Sequence, residues 1–448
     1  MEQLQYHSIP YPDDVASVFD RLRALPRPQW LDSGRPGPTV GRYDIMVAEP
    51  VEVLVAERDE VVLISGGDRR VLPGDPLQVL QQCLGKRRIE EARGPFGAGA
   101  VGYFGYELGY GCVELPRVRR PGSGVPDMVV GLHDWALVVD HGTRCAWLSR
   151  LADSRMTVDR LRALLAAQAP PSAPFTMFAP TAEPDRAGYD AAFRKISRYI
   201  RDGDCYQVNL ARAISADFEG DPWQAYRRLR AISPAAHGAC MLLPEASVLS
   251  ISPERFLSLR HRAVETRPIK GTRPRGADQA ADRVLTEDLV NCPKDRAENV
   301  MIVDLLRNDL GRICTTGSVR VPELFKVESH ATVHHLVSAV TGELREDAGA
   351  CDLLRSCFPG GSITGAPKRR AMQIIAELEP RERGPYCGAI GYIGFDGNMD
   401  TSISIRTAVC QQGVIRYWAG GGLVAESQVD EEFRETADKA RAFMALGG

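Results

Sequence analysis

Two pairs of carboxylates carry the clearest chemical signal in this sequence. Asp295 and Glu298 stand three residues apart, and Glu432 and Glu435 repeat that spacing near the end of the chain. Residues at this spacing share one face of a helix. Magnesium prefers oxygen ligands, and facing helices can supply carboxylates to it. The pairs could therefore form a magnesium site, but from their spacing alone solvated helix charges are the better interpretation.

A lysine in a cationic segment could supply a nucleophile. Lys270 lies within residues 266–276, where arginines accompany it and where glycines and prolines predict a turn. A lysine buried in such a segment would have a lowered pKa and could attack an electrophilic carbon. The composition of the segment equally allows an exposed basic loop.

Two glycine-rich segments could bind carboxylates through their bare backbone amides. Residues 358–368 lead into a predicted helix, and residues 419–422 follow a predicted strand. Neither segment matches the Walker or the dinucleotide-binding pattern. Ordinary turns are the alternative for both. His334 and His335 lie in an apolar run, where core histidines are expected unless other residues give them a role.

The elements that must position these residues follow from the periodicity of apolar residues. Alternation predicts strands at 51–55, 61–65, 135–139, 205–213 and 247–259. Helical spacing and capping residues predict helices at 190–201, 293–309 and 430–445. Strands and helices do not alternate regularly, so the sequence predicts an α+β fold.

Composition limits the domain organisation and the kinds of partner that the chain could have. An alanine- and proline-rich stretch, 167–184, predicts a soft boundary between an N-terminal, mainly β lobe (1–170) and a C-terminal lobe (171–448). A net charge of -3 provides no overall field to attract nucleic acid or an anionic membrane. No apolar run reaches the roughly 20 residues that span a bilayer. Eleven cysteines without a C-x-x-C pair predict reduced thiols, and we expect a cytoplasmic protein.

Several motifs, in order along the chain, resemble those of the chorismate-utilising family. They are 203–210 (GDCYQVNL), 252–256 (SPERF), 268–272 (PIKGT), 295–298 (DRAE), 303–312 (VDLLRNDLGR), 335–338 (HLVS), 365–368 (GAPK), 405–407 (IRT), 420–422 (GGG) and 432–436 (EFRET). The family includes anthranilate, isochorismate, salicylate and aminodeoxychorismate synthases. The resemblance implies two packed antiparallel β-sheets flanked by helices.

Two positions within these motifs separate the branches of the family. The anthranilate, isochorismate and salicylate branches typically have alanine where this chain has Lys270, and the water-adding branches have a lysine base where it has Gln207. The resemblance therefore implies the branch that adds ammonia to chorismate and releases 4-amino-4-deoxychorismate. The alternatives are anthranilate synthase component I and a non-catalytic amino-acid sensor on the same fold.

The resemblance also implies a role for each site residue. Lys270 would attack the substrate ring, and Glu254 would protonate the departing hydroxyl group. Glu298 and Glu435 would hold Mg2+, with Asp295 and Glu432 nearby. The residues that would contact the substrate are His335, Gly365, Ala366, Tyr386, Arg406, Gly421, Gly422 and Lys439.

A partner is implied as well. The chain has no recognisable glutamine amidotransferase segment, so a separate glutaminase subunit would supply ammonia. Residues 30–33 weakly resemble a segment near which related enzymes bind tryptophan. Because Asp32 replaces the usual glutamate there, Ser33 is only a candidate for an amino-acid pocket in the N-terminal lobe.

Overall fold

The strands and helices alternate irregularly along the chain. The computed structural model describes residues 1–34, 41–58, 60–118, 120–122, 124–329 and 333–447. The strands are β1 (Leu4–Ile9), β2 (Gln29–Asp32), β3 (Tyr43–Val47), β4 (Glu52–Glu57), β5 (Glu60–Ser65), β6 (Asp68–Leu72), β7 (Gly99–Phe104), β8 (Met128–His133), β9 (Trp135–Asp140), β10 (Cys145–Leu151), β11 (Thr176–Glu183), β12 (Gln207–Glu219), β13 (His237–Leu242), β14 (Ser247–Ser252), β15 (Arg255–Arg260), β16 (Ala263–Thr266), β17 (Ile269–Pro274), β18 (Arg320–Ser329), β19 (Val333–Glu343), β20 (Gly365–Ala366), β21 (Ala389–Gly394), β22 (Met399–Ile403), β23 (Thr407–Gln411) and β24 (Val414–Leu423). The helices are α1 (Val15–Leu22), α2 (Pro76–Leu84), α3 (Leu108–Cys112), α4 (Val158–Ala166), α5 (Arg186–Arg201), α6 (Pro222–Ile232), α7 (Gln279–Asn291), α8 (Pro293–Gly311), α9 (Ala350–Cys357), α10 (Lys368–Leu378) and α11 (Val429–Met444).

The strands form two antiparallel sheets. In the described part of the chain each sheet has 12 strands. The first follows the order β1-β10-β9-β3-β2-β13-β14-β23-β24-β12-β11, with β20 paired to β12. The second follows the order β17-β19-β16-β15-β22-β21-β7-β8-β4-β5-β6, with β18 paired to β19. These two sheets and their flanking helices confirm the predicted α+β fold.

The faces of the two sheets pack against each other. One buried apolar cluster joins Val55 and Tyr103 of the second sheet to Met241 and Val248 of the first. Strands such as β7, β8 and β9 are buried along their whole length, which is possible only when both faces of a sheet are covered. Helices cover the outer faces, and α8 packs on β17 and β19 at one end.

The predicted helices are confirmed, with ends that differ from the prediction by a few residues. Helix α5 begins at Arg186 because the side chain of Asp185 accepts a hydrogen bond from the amide of Gly188. Helix α8 begins at Pro293, which needs no backbone donor in the first turn. Helix α11 covers Val429–Met444.

Two predictions about strands are wrong in detail. The alternating run 247–259 is two strands, β14 and β15, which belong to different sheets. The chain crosses between the sheets at Pro253 and Glu254, and periodicity cannot detect this change because the alternation continues through it. Lys270 lies on strand β17 and not in a turn.

Both parts of the chain contribute to both sheets. Strand β2 pairs with β13 in the first sheet, and β7 pairs with β21 in the second. A division into lobes near residue 170 stays a prediction. No helix of the described residues is long and apolar enough to cross a membrane.

Candidate active site

The two predicted carboxylate pairs face each other from α8 and α11. The amine Nζ of Lys294 lies 3.8 Å from Oε1 of Glu432, which links the two helix starts. Burial raises the pKa of Glu298, and the charges of Asp295 and Glu432 add to that rise. The four acids therefore interact electrostatically, as their spacing predicts.

Cationic side chains balance these acids. Nζ of Lys439 lies 2.6 Å from Oε1 of Glu435, and Nη1 of Arg273 lies 3.1 Å from Oδ2 of Asp295. Desolvation would raise the pKa of Glu435, but Lys439 and the neighbouring lysines hold it below its ordinary value. The site thus combines acids and bases in a small volume.

The carboxylates fit magnesium better than a metal that needs an all-protein cage. Across the ranges that the structure describes, no three His, Cys, Asp or Glu side chains converge as ready-made ligands. Magnesium usually takes one or two carboxylates and keeps waters or substrate oxygens as its other ligands. The acids already pair with lysine and arginine side chains, so their arrangement suits a positive charge.

Strand β17 brings Lys270 to these acids through an irregularity in its pairing. The register of β17 against β19 shifts between Ile269 and Thr272, and such a bulge re-aims the side chains next to it. Gly271 has a φ of +84°, which favours glycine. A Cβ atom at Gly271 would lie 3.0 Å from Cγ of Asp295, so this strand runs directly against α8.

The charge of Lys270 acts on three carboxylates. Burial raises the pKa values of Glu254 and Glu298, and the Lys270 ammonium opposes the rise in both. The same charge, with that of Lys439, helps to lower the pKa of Glu435. The amine is therefore close enough to these acids for its charge to act on them, and it is partly buried.

Glu254 sits where the chain passes from one sheet to the other. It is 6% exposed, and its Oε1 accepts a hydrogen bond from Oγ of Ser362 at 3.2 Å. Burial raises its pKa to about 7, although Lys270 and the Ser362 hydrogen bond oppose the rise. A carboxyl group with this pKa can carry a proton at neutral pH and release it.

The triple glycine allows a close approach on both faces of β24. A Cβ atom at Gly421 would lie 2.9 Å from Oε2 of Glu432, and one at Gly422 would lie 2.8 Å from Nε2 of Gln207. The carbonyl of Gly420 accepts a hydrogen bond from Nζ of Lys439 at 2.8 Å. Strand β24 is therefore close to Glu432 on one face and to Gln207 on the other.

Three other predicted substrate contacts, His335, Gly365 and Ala366, lie on strands that pair with β17 and β12. Thr272 Oγ1 and Nδ1 of His335 are 2.9 Å apart, so the buried His335 ring is fixed beside β17. Gly365 and Ala366 pair with the start of β12. A Cβ atom at Gly365 would lie 2.1 Å from the carbonyl of Gln207, which explains why glycine is required there.

Tyr386 and Arg406 both lie near strand β24 of the first sheet. The Tyr386 ring stacks on Trp418 with centroids 6.1 Å apart, and burial raises its pKa well above the ordinary value. Arg406 has a positive φ of 50°, and its carbonyl accepts a hydrogen bond from Ile251. Burial raises the pKa of Tyr417 to about 12, and the charge of Arg406 opposes that rise.

Sequence reasoning missed a buried arginine that ties the walls of the site together. Arg383 is 1% exposed and donates two hydrogen bonds to Glu379. It also donates to the carbonyls of Ile363 and Asn209, each at 2.9 Å. The sequence contains many arginines and does not distinguish this one from those on the surface. Only the fold shows that Arg383 is buried.

A second missed group fixes the end of the 358–368 segment. Nζ of Lys368 is buried and donates to Oδ2 of Asp309 and to the carbonyl of Cys357, both at 2.7 Å. Lys368, which belongs to the GAPK motif, therefore forms a buried ion pair with Asp309 of α8.

The candidate Ser33 directly follows β2, near the middle of the first sheet, and lies in a buried polar network. Its amide donates to Oδ1 of Asp44 at 2.8 Å. Asp32 is ion-paired with Arg230, with 2.6 Å between Oδ2 and Nε. A cavity of about 270 Å³ adjoins this network, lined in part by Asp32 and Tyr43. Its role as an amino-acid pocket stays a prediction.

Comparison with known proteins places this site in a family. The profile of chorismate binding enzymes matches residues 30–445. The chain is 46% identical to aminodeoxychorismate synthase component 1 of Escherichia coli (strain K12), covering 96% of each chain. It is 42% identical to an aminodeoxychorismate synthase of Streptomyces griseus, covering 98% of this chain and 63% of that protein. The crystal structure of anthranilate synthase component I from Streptococcus pneumoniae TIGR4 superposes with a TM-score of 0.80 at 30% identity, covering 91% of this chain and 92% of that chain. The chain belongs to the chorismate binding enzyme family.

Proposed function

We propose that this chain performs the reaction of aminodeoxychorismate synthase component 1, in which chorismate and ammonia give 4-amino-4-deoxychorismate for para-aminobenzoate and folate synthesis. One observation carries the proposal: the partly buried amine of Lys270 lies in the field of Glu254, Glu298 and Glu435. An amine in that position has a proton acceptor and an acidic metal site beside it. The similarity to the Escherichia coli enzyme supports the same reaction.

The substrate is a dicarboxylate, and the site offers groups for both carboxylates. Arg406, Lys439 and the amides of Gly421 and Gly422 would hold them by charge and hydrogen bonding. Tyr386 would close one side, and its position on Trp418 fixes the ring. The other contacts that we propose are His335, Gly365 and Ala366.

Magnesium would be held by Glu298 and Glu435, with Asp295 and Glu432 completing the acidic wall. When bound, it would neutralise and orient a ring carboxylate. The lysines that now balance these acids, Lys294 and Lys439, would then be available to other anionic groups.

The chemical steps use Lys270 and Glu254. The neutral amine of Lys270 attacks C2, both conjugated double bonds of the ring shift by one position, and the C4–O bond breaks as Glu254 protonates the departing hydroxyl to give water. Ammonia then attacks C4, both double bonds shift back, and the bond between C2 and Lys270 breaks. The surplus proton on the new amine returns to Glu254. A pKa of about 7 suits Glu254 to both proton transfers.

The ammonia source that we propose is a glutamine amidotransferase subunit. The Escherichia coli relative is called component 1, which supports the existence of a second component as partner. We place the reaction in the cytoplasm, which agrees with the eleven cysteines being unpaired, all of them in the described part of the chain.

The second candidate is anthranilate synthase component I, favoured by the structural similarity to that enzyme. It would aminate chorismate and then eliminate pyruvate. A non-catalytic sensor is disfavoured, because a sensor has no use for Glu254, Lys270 and the acidic pairs together.

The test is an assay of the purified chain with chorismate, ammonium and magnesium, followed by mass spectrometry of the products. We expect 4-amino-4-deoxychorismate, and no product when magnesium is omitted. Anthranilate with pyruvate would support the second candidate. Absence of any aminated product would contradict both.

The role of Lys270 is tested by Lys270→Ala. We expect a normally folded protein whose amination rate is at least about 100-fold lower, a loss typical of a missing catalytic group. Lys326→Ala is the matched control, since Lys326 forms only a surface ion pair with Glu323 on the same sheet. Undiminished activity of Lys270→Ala would reject the nucleophile role.

A further inference from the structure

Ser338 of β19 makes hydrogen bonds to both elements that carry the proposed catalytic centre. Its amide donates to the carbonyl of Pro268 at 3.2 Å, just before strand β17 and two residues before Lys270. Its Oγ donates to Oδ1 of Asn299 at 2.6 Å, and Asn299 directly follows Glu298 on helix α8. Ser338 therefore links the strand that carries the amine to the helix that carries one acidic pair.

One face of α8 makes this contact. Asp295 and Asn299 are four residues apart, so their side chains share a face of the helix. A Cβ atom at Gly271 would lie 3.0 Å from Cγ of Asp295, which shows that this face packs on β17. The face continues with Ile302 and Leu306, which are buried. Beside β17 the helix therefore packs through polar side chains, and farther along it packs through apolar ones.

Stability alone does not explain the polar part of this face. Asn299 and Ser338 are both 0% exposed, and Nδ2 of Asn299 has no hydrogen-bond partner in the described ranges. Such an atom costs a desolvation free energy that an apolar side chain would avoid. A hydrogen bond is directional, whereas apolar packing is not, and a single buried asparagine fixes helix register in coiled coils for this reason. The bond between Asn299 and Ser338 can therefore fix the rotation and the axial position of the start of α8.

Strand β17 by itself leaves the position of Lys270 open. Its pairing with β19 is irregular between Ile269 and Thr272, and Lys270 and Gly271 lie in that interval. An irregularity of this kind leaves a residue out of the ladder of backbone hydrogen bonds that normally fixes a strand. The position of the amine therefore depends on the helix that packs against the interval, which is α8.

We infer that Asn299 and Ser338 are positioning residues for Lys270. Their hydrogen bond fixes the start of α8 against the irregular part of β17, so that the Lys270 amine is held in one place beside Glu298. Both residues act through Lys270, and we assign them no contact with the substrate. The inference rests on the reaction proposed above, in which Lys270 is the nucleophile. Attack by an amine needs accurate placement, since a displacement of about 1 Å can lower a rate about 100-fold.

Steady-state kinetics at saturating magnesium and ammonium tests the inference. Asn299→Leu removes the acceptor and leaves the other hydrogen bonds of Ser338 in place, including the one from the amide of Phe325. Ser338→Ala removes the hydroxyl group but keeps the backbone hydrogen bond to Pro268. We expect each variant to lower kcat about tenfold or more, while the KM for chorismate stays within about threefold, because the amine is displaced and the binding groups are not.

A comparison in a second background separates positioning from a general loss of stability. Lys270→Ala removes the group that is to be positioned, so adding Asn299→Leu to it should lower the remaining rate less than about threefold. A further drop of about tenfold there would overturn the inference. The matched control is Gln29→Met, since Gln29 is also a buried carboxamide with one unpartnered atom in the described residues. Its kcat should be unchanged, and a drop equal to that of Asn299→Leu would also overturn the inference.

The outcomes distinguish this inference from the proposed function. If the wild type forms no aminated product, or if Lys270→Ala keeps full activity, the proposed mechanism fails and the inference fails with it. If Lys270→Ala is impaired but Asn299→Leu and Ser338→Ala keep kcat within about threefold of wild type, or raise the KM for chorismate instead, the inference alone is overturned. Circular dichroism checks folding, and Ser338→Ala decides the test if Asn299→Leu does not fold. The single variants decide it if the Lys270→Ala background has no measurable rate.

Discussion

Replacing Glu254 with glutamine should stabilise the protein while it removes activity, and the gain in stability should depend on pH. Burial raises the pKa of Glu254 from 4.5 to about 7, so the folded state disfavours the ionised carboxylate. The wild type therefore has its full stability from this group below pH 4.5 and loses it as the pH rises through 7. At about 1.4 kcal/mol for each pH unit between the two values, the loss above pH 7 is about 3 kcal/mol.

Glutamine keeps the shape of the side chain and an oxygen for the hydrogen bond from Ser362, but it never ionises. Thermal unfolding of wild type and Glu254→Gln at pH 5 and pH 8 measures the effect. The variant should exceed the wild-type melting temperature by a few degrees at pH 8 and by much less at pH 5. Product formation should fall at least about 100-fold at both pH values.

A matched control separates burial from the loss of a charge in general. Glu60 on β5 is exposed, so Glu60→Gln should change the melting temperature equally at both pH values. An equal difference at pH 5 and pH 8 for Glu254→Gln, or a variant less stable than wild type at pH 8, would refute the argument from burial.

Three further predictions concern the same site. Ser362→Ala removes a hydrogen bond that favours the ionised form of Glu254, so the alkaline limb of the pH dependence of kcat/KM for chorismate should move to higher pH. EDTA should abolish turnover, and Glu298→Gln should raise the magnesium concentration that gives half the maximal rate, because it removes one charged ligand. Gly421→Ala places a Cβ atom 2.9 Å from Oε2 of Glu432 and should raise that magnesium requirement too, whereas Gly311→Ala, with open space around it, should leave it unchanged.

Sequence alone predicted the helices that carry the four acids. The helical spacing of Asp295 with Glu298, and of Glu432 with Glu435, placed each pair on one helix face, and the structure has both helices. The first-turn signal of Pro293 is local, so it does not depend on the rest of the fold. For the same reason these predictions required no knowledge of long-range pairing.

Long-range geometry explains what the sequence could not provide. The segment around Lys270 has the composition of a turn, but pairing with β19 makes it a strand, and a bulge at Gly271 directs it toward α8. Likewise, the run through Glu254 alternates without a break although its two halves join different sheets. The side-chain amide of Gln207 has no hydrogen-bond partner in the described residues. No local sequence pattern could predict which groups surround it.

The guanidinium of Arg383 has a consequence for how the site responds to its substrates. It joins the backbone at Asn209 to the backbone at Ile363 and to Glu379, and its charge lies 5.7 Å from the centre of the Tyr386 ring. The segments that carry Asn209, Ile363 and Glu379 cannot shift independently. Moving one of them would remove a hydrogen-bond partner from a fully buried cation. The site is thus set rigidly when the chain folds, and little reorganisation is left for the moment at which bonds change. Turnover should then be limited by the entry of ligands at the acidic end and not by closure of the inner walls.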